Sequence, residues 1–79
     1  MEPFKDVEKV NRMFATGQPT LIDTRTGYKY AMCAPCPKDS DYALVTRIER
    51  AQQSLSRVIF QCPSCLTQFE VNRDEILVC

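Results

Sequence analysis

Hydrophobic positions along the chain fall into three blocks separated by turn-forming residues. In the first, "EPFKDVEKVNRMFATGQP", Phe4, Val7, Val10 or Asn11, and Phe14 recur near one face of a helix, and most other positions are charged or polar. Pro3 is tolerated in a first turn, and Gly17 followed by Pro19 is a stop signal. The pattern predicts an N-terminal helical segment over residues 1–19, its apolar stripe lying on its own domain.

The second block, "TLIDTRTGYKYAMC", predicts a β-hairpin. Leu21 and Ile22 lead into a turn at "DTRTG", where Asp23 can accept backbone hydrogen bonds and Gly27 can supply positive φ; Tyr28, Tyr30 and Met32 then return on alternate positions. This hairpin delivers Cys33 directly.

The third block reads two ways. In "DYALVTRIERAQQSLSRVIFQC", Leu44, Val45, Ile48, Ala51 and Leu55 have helical spacing, and Ser40 or Asp41 suits a cap. The same stretch also reads as a strand "YALVTRIE", a tip "RAQQS" and a strand "LSRVIFQC", with many β-branched residues. The hairpin is favoured, because two strands joined at a tip return Cys62 close to Cys36 with little chain. Beyond Cys65, "TQFEV", a polar turn at "NRDE" and "ILVC" are expected to supply the edge of the sheet.

Length makes a further demand. The 79 residues form one domain, with residues 20–79 as its β-rich, metal-binding part, and an apolar core of that size leaves only about 3–5 kcal/mol of stability. A staple is expected. The sequence has five cysteines and no histidine, and "MEPFKDVEKV" is charged from its second residue with no apolar leader, so a cytoplasmic protein is expected. In a reducing compartment paired C-x-x-C elements read as metal ligands rather than as disulfides. No apolar run approaches the roughly 18–20 residues that span a bilayer, so no membrane partner is expected.

The cysteines carry the chemistry. Cys33 and Cys36, then Cys62 and Cys65, form the spacing C-x2-C-x25-C-x2-C. A backbone knuckle turns two sulfurs three positions apart to one side, so four thiolates can enclose one ion, with a Zn–S distance near 2.3 Å if it is zinc. One structural Zn²⁺ per chain, held by Cys33, Cys36, Cys62 and Cys65, is the expected cofactor, with its coordination closed by protein. The proline of "CPSC" helps preform such a knuckle, and the residue after it often takes positive φ. At the corresponding places stand Pro37 and Leu66. Pro37 cannot take positive φ, so the first knuckle is expected to be the less regular one. Cys79 reads as a free thiol with no role, the alternative being substitution as a metal ligand or disulfide exchange with another chain.

Charge narrows the partners. Ten Lys and Arg balance ten Asp and Glu, which implies weak or no binding to nucleic acid alone. Arg47, Arg50 and Arg57 give the middle of the chain a modest basic character and are its candidate partner-binding residues. With no histidine, and no Ser or Cys beside an evident base, no acid–base or nucleophilic constellation is present, and a non-enzymatic protein is expected.

The segment "CAPC…VTRIERAQQSLSRVIFQCPSCLTQFEV", about half the chain, resembles the zinc ribbon of transcript-cleavage elongation factors and small RNA-polymerase subunits. The resemblance implies a small, β-rich α+β fold in which antiparallel hairpins surround a four-cysteine metal site. Cys33, Cys36, Cys62 and Cys65 match its ligands, Phe60 and Phe69 its apolar strand positions, and Arg47 or Arg50 its tip arginine. The cleavage factors carry an adjacent Asp-Glu pair at the tip, where this chain has "AQQS". The function implied is a zinc-stabilised adaptor docking on a protein or nucleoprotein partner, in transcription or another nucleic-acid process. The alternative is a redox protein, either a rubredoxin-like iron electron carrier or a C-x-x-C thiol switch. Against it, rubredoxin's glycine-bearing knuckles and a thioredoxin-like βαβ pattern are both missing.

Overall fold

A computed structural model describes residues 2–79, as one helix packed on an antiparallel sheet. The helix α1 runs Val7–Thr16 and the strands are β1 (Thr20–Ile22), β2 (Lys29–Pro35), β3 (Tyr42–Ala51), β4 (Ser54–Gln61), β5 (Gln68–Phe69) and β6 (Leu77–Val78), with a 3-10 turn at Arg73–Glu75 before β6. The sheet order is β1-β2-β3-β4-β5, and β6 pairs with β2. This is the small α+β architecture expected.

The helix starts later than its hydrophobic pattern implies. Asp6 is its N-cap, accepting the backbone N–H of Lys9 at 3.1 Å, while Phe4 exchanges backbone hydrogen bonds with Val78 at 2.9 and 2.8 Å and so belongs to the sheet. Val10, Met13 and Phe14 are its buried residues, and Val7 stays exposed. Gly17 ends the helix at φ 74°, in the left-handed region where glycine carries no steric penalty.

The first hairpin forms as expected, with Asp23 accepting the N–H of Arg25 at 2.9 Å and Gly27 at φ 73°. Residues 42–61 also form a hairpin, which decides between the two readings of that stretch. Two bulges interrupt its ladder. Thr46 is the extra residue in β3 and Ser56 the extra residue in β4. Each bulge shifts the alternation by one, so Val45 and Ile48 on β3, and Leu55, Val58 and Phe60 on β4, pack into one core despite their uneven spacing. The helical spacing in the sequence is therefore the imprint of two bulges.

Residues directly opposite in an antiparallel ladder point to the same face. Met32 pairs with Val78, Ala34 with Ala43 and Val45 with Phe60, and this face receives Val10, Met13 and Phe14 of the helix. Met13, Met32, Phe60 and Val78 are fully buried, each worth about 1.5–3 kcal/mol for the apolar surface removed from water. The last segment does not form the outer edge expected of it. Only Gln68–Phe69 lies beside β4, and after the turn at Arg73–Glu75 the chain crosses back so that Leu77–Val78 pairs with β2. Burial of Ile76 and Val78 against the helix explains that return. Among the described residues no helix is long and apolar enough to cross a membrane.

Candidate metal centre

Two tight turns at one end of the sheet are built alike. The first is "CPKDSD", Cys36 to Asp41, between β2 and β3; the second is "CPSCLT", Cys62 to Thr67, between β4 and β5. In the first, Cys36 N–H donates to Asp41 O at 2.7 Å and Ser40 N–H donates to Cys36 O at 3.3 Å. In the second, Cys62 N–H donates to Thr67 O at 3.0 Å and Leu66 N–H donates to Cys62 O at 2.9 Å. Ser40 and Leu66 occupy the same position in the two turns and both have positive φ, 66° and 61°. A proline follows the leading cysteine in each, where its fixed φ suits the turn.

The matched geometry brings Cys36, Asp39, Cys62 and Cys65 together, with their ligand atoms all within 4.8 Å of one another. Cys36 and Cys62 are buried, Asp39 and Cys65 exposed. A tetrahedral zinc ion with bonds of about 2.3 Å to sulfur and about 2.0 Å to oxygen has S···S edges of about 3.8 Å and S···O edges of about 3.5 Å. Cys36 Sγ and Cys65 Sγ lie 3.6 Å apart, and Cys62 Sγ lies 3.4 and 3.3 Å from Asp39 Oδ1 and Oδ2. These separations fit one metal ion, and the donor set, three sulfurs and one carboxylate, is one that zinc accepts.

Cys33 does not join this group. Its expected knuckle with Cys36 cannot form because β2 continues through Pro35, and in an extended strand residues three apart face opposite ways. Cys33 pairs with Leu44 and Leu77 on the face opposite Met32 and Ala34, whereas Cys36 and Cys62 continue the alternation of Ala34 and Phe60. Cys33 is fully buried, and burial, reinforced by the neighbouring Cys79 thiol, pushes its thiol far above the ordinary cysteine range. Asp39 takes the place assigned to Cys33, and the first knuckle is as regular as the second because Pro37 is its second residue, not the one after it. A signal for Asp39 was in the sequence: "CPKD" aligns with "CPSC" once the first turn is started at Cys36.

The local electrostatics differ from corner to corner. Loss of hydration pushes the Cys36 thiol up to about 11, although the backbone N–H groups of Lys38 and Asp39 oppose this; Lys38 N lies 3.4 Å from Cys36 Sγ. The Thr67 hydroxyl, 3.2 Å from Cys65 Sγ, and the Thr67 backbone N–H hold the Cys65 thiol below its usual range. Hydrogen bonding from the Cys36 thiol lowers the Asp39 carboxyl, which also accepts the Asp41 N–H at 3.1 Å. The Ser64 hydroxyl donates to the Asp41 carboxylate and ties the two knuckles together. A divalent cation would supply the positive charge that lets the buried thiols ionise.

The three candidate arginines have different surroundings. Arg50 Nε donates to Gly17 O at 2.7 Å and fastens the hairpin to the end of the helix. Arg57 sits between Glu70, at 2.8 Å, and Glu49, at 3.6 Å. Arg47 is exposed, and its side chain makes no hydrogen bond or ion pair with the described residues. Comparison with known proteins finds no matching family model, no matching curated protein and no matching solved structure.

Proposed function

We propose that this chain is a non-enzymatic binding module whose fold is held by one zinc ion at Cys36, Asp39, Cys62 and Cys65. The observation that carries the reading is the convergence of those four donors from two knuckles of the same construction. The ion fastens the β2–β3 turn to the β4–β5 turn, which the Ser64–Asp41 hydrogen bond also joins, and a structural zinc contributes about 10–16 kcal/mol in small finger peptides. The zinc-ribbon reading is supported by the strand–tip–strand order between the two knuckles and by three of the four grouped donors being ones expected from the resemblance, with Asp39 as the fourth.

The partner proposed is a protein or nucleoprotein. Zero formal charge disfavours tight binding to nucleic acid alone, and of the three middle arginines only Arg47 is uncommitted. Tyr42 and Leu44 follow the first knuckle and Leu66 closes the second; all three are exposed and apolar, which suits a protein surface better than a phosphate backbone. A role in transcription or another nucleic-acid process rests on the ribbon resemblance, and with Gln52 and Gln53 at the tip the module contributes no acidic pair to a polymerase.

Elemental analysis of the purified protein, with circular dichroism before and after chelation, tests the reading. The expected result is about one zinc per chain and loss of structure when the metal is removed. Iron in the preparation, or a fold indifferent to the chelator, overturns it in favour of redox work by the cysteines.

A further inference from the structure

The four donors are unequal in a way that bears on what the metal can do. Cys36 and Cys62 are 5% and 0% exposed and lie where β2 and β4 end, so the sheet holds them in place. Cys65 is exposed but belongs to the knuckle that already supplies Cys62, and its Sγ lies 3.2 Å from the Thr67 hydroxyl. Asp39 is the exception. It is exposed, it is the one oxygen donor among three sulfurs, and one of its oxygens already accepts the Asp41 N–H.

Zinc is a borderline-soft cation, and a carboxylate holds it less tightly than a thiolate does. When a carboxylate is the outermost ligand of a site that otherwise offers sulfur, it is the ligand an incoming thiolate displaces. From this we infer that Asp39 is an exchangeable ligand and that its corner of the metal takes up an exogenous thiolate. The inference rests on the metal reading of Cys36, Asp39, Cys62 and Cys65.

The step is a ligand substitution without redox change. The metal–oxygen bond to Asp39 breaks, a metal–sulfur bond to the incoming thiol forms, and the thiol proton passes to solvent. The released carboxylate keeps the Asp41 N–H and lies at the surface, where water screens its charge. Cys36, Cys62 and Cys65 hold the ion throughout, so the module stays folded while its fourth ligand changes. The incoming thiolate belongs either to a small thiol or to a cysteine of a bound protein, and both present the same chemistry to the metal.

Cobalt(II) in place of zinc makes the exchange visible, because sulfur-to-cobalt charge-transfer absorption grows with the number of Co–S bonds. Asp39→Cys supplies the four-thiolate level as an internal standard. The expected result is a saturable rise of the wild-type absorption toward that standard on titration with glutathione or with a short cysteine-containing peptide, and no change in Asp39→Cys. A response to glutathione alone assigns the corner to small thiols, and a response to the peptide alone assigns it to protein cysteines. An unchanged wild-type spectrum with both probes overturns the inference while leaving the metal site standing, and so does loss of all charge-transfer absorption, which means extraction of the ion. Failure of the wild type to develop any such absorption with cobalt overturns the metal reading itself. Should Asp39→Cys not fold, Asp39→Ala serves instead: its three-thiolate absorption is expected to rise at lower thiol concentration than the wild type's, and an equal or weaker response overturns the inference.

Discussion

Cys36 Sγ lies 3.6 Å from Cys65 Sγ, 29 positions away, while Cys33, only three positions from Cys36, points to the other face of the same strand. Sequence proximity and shared chemistry are here uncoupled by the strand's alternation. The distinction separates a cysteine grouped with three other metal-capable donors from a core cysteine and gives the first prediction.

Cys36→Ala is expected to abolish stoichiometric zinc binding and to leave the knuckle end of the sheet unfolded. Cys33→Ala is expected to keep about one zinc per chain and to lose only the packing of a small side chain, on the order of 1 kcal/mol. Metal content and denaturant titration of both variants check this. Loss of metal in Cys33→Ala as well as in Cys36→Ala would return the site to the four-cysteine set, with Cys33 in the place of Asp39.

The helix cap gives the pH dependence. The Lys9 backbone N–H, reinforced by the Lys9 ammonium 3.0 Å away, holds the Asp6 carboxyl below its ordinary range. A carboxyl with a depressed folded-state pKa contributes stability that is present above its unfolded-state pKa, near 4, and is lost as pH falls through the lower folded-state value. Asp6→Ala is therefore expected to cost about 1 kcal/mol at neutral pH and less once both states are protonated, when the neutral carboxyl keeps only its uncharged acceptor. Acid would also protonate the thiolates of the proposed metal site and free its ion, but it would do so in both proteins. The difference between wild type and variant across pH isolates the cap, and a difference that stays constant into acid would rule out the carboxylate as its source.

Much of the fold was legible because local chemistry and tertiary packing agree. Gly17 stops the helix, Asp23 and Gly27 make the first turn, and "RAQQS" is the hairpin tip, as their residue types imply. The ambiguity at residues 42–61 had a physical source: bulges at Thr46 and Ser56 convert period-2 alternation into three-residue spacings, Val45 to Ile48 and Leu55 to Val58, which imitate a helix. Of the four donors that the fold groups together, Cys36, Cys62 and Cys65 were among the residues the sequence singled out. Asp39 was hidden by the habit of pairing cysteine with cysteine, because "CAPC" satisfies the spacing rule while its first three residues, Cys33 to Pro35, are paired in β2, and spacing alone does not distinguish a turn from a strand. The return of Leu77–Val78 to β2 was not legible, since nothing local in "ILVC" says which edge of a sheet it joins.

The junction between the helix and the hairpin tip provides the last prediction. Gly17 has φ 74° and a Cβ placed there would collide with the carbonyl oxygen of Gln53, at the tip of the β3–β4 hairpin, while Arg50 Nε binds the Gly17 carbonyl at 2.7 Å. Alanine at this position meets two separate penalties, one for the left-handed backbone and one for displacing the hairpin tip. Gly27 has φ 73° and nothing within 4 Å of where its Cβ would stand, so alanine there meets the first penalty alone. Gly27→Ala is expected to cost about 1 kcal/mol, and Gly17→Ala at least about 1 kcal/mol more, because the colliding atom is backbone and cannot swing aside. Denaturant melts of the two zinc-loaded variants give the difference directly. Equal losses would mean that the hairpin tip moves freely relative to the helix and that the Arg50–Gly17 contact does not fix it, whereas the expected excess at Gly17 identifies this close approach as the clamp that holds the far end of the hairpin against the helix.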